Sequence, residues 1–213
     1  MTIKGCSLLV AFVLFCMFDS AYAGEQIGLF GVQGATNHEA IPRPLGVGVF
    51  LQKDISRLTT FRVSYSWAKD SDAFIKTIYK HGGLVQEGDT IRDFWEQDAS
   101  MRVFELSLFL NVIQNDELSF SVGPSLGMAK YHRKAVGRST GFEWGGDSRL
   151  RQSLSLIADF GIFPRPLRPI GLRLFVRERV TASGGHNCAD CSEPFSDTIT
   201  SFDVALAIAY TLH

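Results

Sequence analysis

After residue 23 the sequence has no apolar run approaching the about 18 residues that a membrane-crossing helix needs, so none is predicted. It also lacks a charge surplus. Lys and Arg total 21 against 22 Asp and Glu, for a net charge of -1, and nothing resembles the basic stripe that nucleic-acid binding requires. Cysteine is scarce: of four, Cys6 and Cys16 fall in the N-terminal segment and only Cys188 and Cys191 lie beyond it. In "HNCADC" these two flank a short C-x-x-C beside His186, but no second cysteine pair completes a zinc tetrahedron. A redox motif would need a thioredoxin-like helix start, which this Gly-rich stretch does not offer. None of the five histidines has a serine two residues away, so no Ser–His pair shares a strand face. No catalytic, cofactor-binding or metal-binding set is therefore expected, and a disulfide between Cys188 and Cys191 is the expected use of that pair.

What is abundant is glycine (20) and phenylalanine (17), within a chain that is 46% hydrophobic. The first 23 residues have the form of a secretory signal: Lys4, an apolar stretch from Leu8 to Phe18, and Ala21-Tyr22-Ala23 as a small-x-small cleavage site. Cleavage before Gly24 would leave residues 24–213 as one exported domain, in a compartment that permits disulfides.

Within that domain apolar residues recur with a period of two. "LGVGVFL" (45–51) sets Leu45, Val47, Val49 and Leu51 against Gly46, Gly48 and Phe50. "TFRVSYSWA" (60–68), "FELSLFLNV" (104–112), "LSFSVGPSLGMA" (118–129), "SLSLIADFGI" (153–162) and "GLRLFVR" (171–177) alternate in the same way. "SFDVALAIAYTLH" does so down to Leu212, with bulky Phe202, Val204, Leu206, Ile208 and Tyr210 opposite small or charged residues. "IGLFGVQGA" (27–35) is an eighth candidate of unclear phase, because Leu29, Phe30 and Val32 do not share a parity. Period two means strands. Eight of them, with tight connections at 52–57, 113–117 and 163–169 and longer ones at 69–100, 131–149 and 183–197, predict an all-β, eight-stranded antiparallel up-and-down transmembrane β-barrel. Within 69–100, the apolar spacing of 72–80 permits a short helix.

The sidedness follows from chemistry. The bulky parity is expected to face acyl chains, and the small parity to fill an interior just wide enough for side chains. That inward parity carries Arg62, Glu105, Asp159, Arg173, Arg177, Arg179 and Asp203, both signs together, which predicts a paired charge network in the lumen. With Phe50, Phe109 and Phe175 beside it, this argues against a wide pore. Arg102 and Glu178 are charges on the outward parity, expected near the extracellular ends where burial in lipid costs less. Tyr65, Trp67, Tyr131, Phe160, Phe163 and Tyr210 are expected to form interfacial girdles.

The segment "AYAGE", the strand "FSVGPSLGMAKY" (120–131) and the final "SFDVALAIAYTLH" resemble the small outer-membrane β-barrel superfamily, OmpA/OmpX-like, across essentially all of 24–213. Members usually end in Phe or Trp, part of the signal read by the barrel-insertion machinery; here Tyr210 and Leu212 precede His213. The resemblance implies a monomer in the outer membrane. Its partners would be membrane lipids, the insertion machinery and an extracellular protein or other surface ligand. Two alternatives stand beside it: a soluble periplasmic lipocalin-like ligand-binding barrel, and a lipid A-modifying outer-membrane hydrolase.

Overall fold

The computed structural model describes residues 25–37, 41, 43–79, 90–138, 141, 143–148, 150–167, 169–182 and 198–212. The signal segment, Cys188, Cys191 and the 183–197 connection lie outside the described residues, as do the side chains of 72–79, 90–95 and 144.

Nine strands are described: β1 (Glu25–Thr36), β2 (Leu45–Asp54), β3 (Thr59–Tyr79), β4 (Thr90–Gln114), β5 (Leu118–Gly137), β6 (Glu143–Asp147), β7 (Arg151–Ile162), β8 (Ile170–Thr181) and β9 (Ile199–Leu212). All pairs are antiparallel, in the order β4-β3-β2-β1-β9-β8-β7-β5, and β4 pairs with β5 to close the ring. Eight strands thus form a closed up-and-down barrel, and β6 is a short addition that pairs with β5 beyond the end of β7. The seam joins the first strand to the last along their whole length, from Glu25↔Leu212 to Thr36↔Ser201. No open edge is left along the barrel wall, which is the condition for a sheet to lie in lipid.

The phase of β1, ambiguous in sequence, is fixed by its neighbours. Phe30 and Val32 point inward, Ile27, Leu29 and Gly31 outward. Inward glycines explain how so many aromatics fit. A Cβ on Gly28 would lie 2.3 Å from the Phe50 ring, and one on Gly48 would lie 2.2 Å from the Phe30 ring. The vacated space holds Phe30, Phe50 and Phe175 with centroids 5.0–6.5 Å apart. Near the periplasmic end, a register shift between Asn111 and Ile113 turns Val112 and Ile113 both outward.

Two expectations are corrected. The helix over 72–80 is instead strand: β3 runs to Tyr79 and pairs with β4 from Tyr79↔Thr90 to Lys69↔Ser100 and on into the wall. Residues 75–79 (Ile-Lys-Thr-Ile-Tyr) are rich in β-branched and aromatic types, and cross-strand partners outweigh a local apolar spacing too short to support a helix alone. The connections 69–100 and 131–149 are accordingly mostly paired strand. Of the expected girdle residues, Tyr131 and Phe163 point inward, being 1% and 9% exposed. The hydroxyl of Tyr131 shares a hydrogen bond with Thr181 (3.0 Å), and Phe163 lies under the Arg173 guanidinium (5.7 Å), so each has a polar partner inside.

Candidate functional site

The interior is packed by side chains in layers. At the periplasmic end Lys53 pairs with Glu25 (3.0 Å), and Arg173 donates to Gln26 (2.7 Å) and Asp159 (3.1 Å). Thr60, Asn111 and Ser121 join in one hydrogen-bonded group: Asn111 Oδ1 accepts from the Thr60 hydroxyl at 3.0 Å and from the Ser121 hydroxyl at 2.8 Å. At mid-height Arg62 from β3 crosses the lumen. It meets Asp159 in an ion pair and donates to Gln52 (3.0 and 2.6 Å). Its guanidinium lies 4.8, 4.7 and 5.3 Å from the rings of Phe50, Phe109 and Phe175. A planar, weakly hydrated cation is the side chain suited to aromatic faces. Above it, Glu105 takes Arg177 and Arg179 (3.1 Å) and accepts from Ser155 (2.8 Å). Asp203 takes the same two arginines at 2.8 and 3.3 Å. The extracellular end is closed by Ile41, Met101, Val103, Tyr131 and Ile199, all buried.

The structure therefore places Arg62, Glu105, Asp159, Arg173, Arg177, Arg179 and Asp203 inside the barrel, each no more than 3% exposed. It joins them into two clusters, Arg62–Asp159–Arg173 and Glu105–Arg177–Arg179–Asp203. The four arginines exceed the three carboxylates, and neutral oxygens of Gln26 and Gln52 accept hydrogen bonds from Arg173 and Arg62. Sequence reasoning passed over both glutamines. The signal was available for Gln52, which shares the parity of Gly46, Gly48 and Phe50.

Outside, the pattern inverts. Leu29, Leu45, Leu126 and Leu206 are 67%, 67%, 66% and 62% exposed, and exposed leucine, valine, isoleucine and aromatic side chains continue around every wall strand. Water would not leave so continuous an apolar girdle bare, and a soluble ligand-binding barrel would turn these groups inward. The girdle requires lipid, and the closed ring permits it. The fold is that of the small outer-membrane β-barrels. No family model matches the sequence, and no curated protein does. Among solved structures, the attachment invasion locus protein Ail of Yersinia pestis is similar, in complex with the heparin analogue sucrose octasulfate: TM-score 0.55, 11% identity, 89% of this chain and 99% of that one covered. A major outer membrane protein of Thermus thermophilus gives TM-score 0.54 at 12% identity, covering 88% and 99%.

Like such barrels, this one has short periplasmic turns; it differs from a plain cylinder at its other end. The pairing of β2 with β3 stops at Leu45↔Lys69, yet β3, β4, β5 and β6 stay paired beyond that level. From Lys69 to Tyr79, β3 alone extends about 33 Å further along its axis at about 3.3 Å per residue. On the outer face of this sheet, the carboxyl of Asp147 is held below the usual carboxylate range by hydrogen bonds from Lys130 (2.6 Å) and His132 (2.7 Å). The register sets Ser100 opposite His132 and His132 opposite Asp147, a juxtaposition that sequence spacing could not reveal. The Asp147 carboxylate is shared with Lys130, and no hydrogen bond joins Ser100 to His132.

Proposed function

We propose that this chain is a sealed outer-membrane barrel that acts at the cell surface through the projecting sheet of β3–β6, with no transport through its lumen and no catalysis of its own. The observation that carries this is the continuation of four paired strands past the level where β2 ends. Ordered strands hold a binding surface at lower entropic cost than open loops. Export with cleavage before Gly24, delivery to the insertion machinery and a monomeric state complete the reading. Cys188 and Cys191 close a small disulfide that orders the 183–197 connection locally. The paired lumen charges serve as the plug. A partner at the surface, an extracellular protein or another surface ligand, is contacted by the sheet; sucrose octasulfate on Ail makes a sulfated polysaccharide a reasonable first probe.

The test compares cells displaying the full chain with cells displaying a variant in which residues 73–96 are replaced by a two-residue turn, scored for adhesion to immobilised heparin and to extracellular-matrix proteins. Retained heat-modifiable migration on a gel shows that the shortened barrel is folded. Loss of adhesion with the hairpin supports the proposal; equal adhesion by both refutes it. Planar-bilayer recordings of the purified protein are expected to show no open channel. Incubation with purified lipid A is expected to leave its acylation unchanged, which separates this reading from the hydrolase one.

A further inference from the structure

The lowest charged row on the outer face of β3–β5 is built only of bases. Arg102 of β4 stands directly opposite Lys130 of β5 on one side and Trp67 of β3 on the other. One row further out, Lys69 stands opposite Ser100, diagonal to Arg102. Directly opposed residues on neighbouring strands have Cβ atoms about 4.5–5.5 Å apart, where like charges destabilise the pair. Arg102 and Lys69 form no ion pair or hydrogen bond among the described residues. The acids of this face are committed elsewhere. Asp147 holds Lys130 and His132, Glu143 holds Lys134, Glu96 holds Arg138, and Asp98 accepts from Ser71. Between Lys69, Arg102 and His132 lies Ser100, 8% exposed, whose hydroxyl has no hydrogen-bond partner among the described residues. A concentration of positive charge around an unused donor lacks one component, an anion.

The position of the row identifies that anion. At about 3.3 Å per residue on strands tilted by about 40°, Lys69, Arg102 and Lys130 stand roughly 28–33 Å above the periplasmic turns, just past an apolar band about 25 Å tall. That is the level of lipid head groups in the outer leaflet. The row immediately below is Tyr65–Phe104–Met128, wholly apolar or aromatic, which suits acyl chains and offers nothing to a free ion.

We propose that Lys69, Ser100 and Arg102 bind the phosphate of an anionic membrane lipid, whose acyl chains lie on Tyr65, Phe104 and Met128. The guanidinium of Arg102 supplies a bidentate donor pair, Lys69 a flexible cation, and Ser100 its free O–H. This deepens the membrane reading and rests on it. Glu178, an outward acid within the wall, is on β8, between Leu156 and Phe202 on its two neighbours and away from this row.

The full mature chain is folded into phosphatidylcholine vesicles with and without phosphatidylglycerol, and retained lipid is counted by native mass spectrometry. The wild type is expected to keep phosphatidylglycerol in preference to phosphatidylcholine. Lys69→Gln with Arg102→Gln is expected to weaken that retention about tenfold, with Ser100→Ala weakening it less and Glu178→Gln leaving it unchanged. Equal retention by the double variant, or an equal effect of Glu178→Gln, overturns the site. Saturating inorganic phosphate in detergent that protects the wild type as well as phosphatidylglycerol does overturns the lipid assignment. Failure of the wild type to insert into any vesicle overturns the membrane reading itself, whereas insertion without lipid preference overturns only the site.

Discussion

Truncating Glu105 to alanine should be the most damaging single change in the lumen. Glu105 is 1% exposed and holds two arginines and a serine: Arg177, Arg179 at 3.1 Å and Ser155 at 2.8 Å. After Glu105→Ala, Arg177 and Arg179 share the single carboxylate of Asp203, at 2.8 and 3.3 Å. One buried cation is then uncompensated, and Ser155 loses its acceptor. Hydrogen bonds to charged groups contribute about 1.5–3 kcal/mol each. Stranding one member of a buried ion pair costs about 3–5 kcal/mol, less whatever water entering the vacated space restores. A loss of about 3–5 kcal/mol is expected. Urea-dependent equilibrium unfolding in lipid vesicles, followed by tryptophan fluorescence, measures it. Adding Arg179→Met to Glu105→Ala should recover part of the loss, because it removes the stranded cation; the coupling should be about 0.5–3 kcal/mol. A loss below about 1 kcal/mol, the size of one neutral hydrogen bond, would refute the claim that these charges are held away from water.

Leu206→Arg, at mid-height on the outer face between Gly31 and Leu174, should cost about 2–4 kcal/mol in vesicles, while the same change in detergent should cost less. Gly123→Ala should destabilise by about 1–3 kcal/mol in the same titration, since its Cβ would fall 2.0 Å from the Leu108 carbonyl oxygen and backbone there cannot retreat. Arg62→Ala with Phe50→Ala removes the cross-lumen cation and one ring of its stack; planar-bilayer recordings should then show small conducting events absent from the wild type. Asp147, whose folded carboxyl titrates below its unfolded value, lends stability to the β5–β6 pairing that is present above the unfolded range and lost as pH falls through the folded value. An NMR titration of that carboxyl should give a midpoint below about 3.9, and Asp147→Asn should abolish the acid response of the 143–147 amides.

The wall was legible because its chemistry is periodic. Along β9 every second residue is bulky, so both the strand and its lipid-facing side could be read without a partner. The same parity put Arg62, Glu105 and Asp159 on the inside. Which of them would meet was hidden, because the pairing of β3 with β7 residues across a lumen depends on ring closure and stagger rather than on spacing. Phe30 defeated the pattern in β1, since Leu29 and Phe30 are both large and only the notches at Gly28 and Gly48 decide which one enters. Over 72–80 local spacing and partner strand disagreed, and the partner prevailed. The basic cluster of Lys69, Arg102 and Lys130 draws on three strands, so no window of sequence contains it.

The pairing of Glu25 with Leu212 sets an order for biogenesis. The opening strand waits for a mate that leaves the ribosome after every other stave of the cylinder, and until then its N–H and C=O groups have nowhere to go. No truncated intermediate can shed this exposed margin by settling early, so the barrel stays incomplete until the ring closes. Closure then becomes a single late event, committed only when β9 arrives.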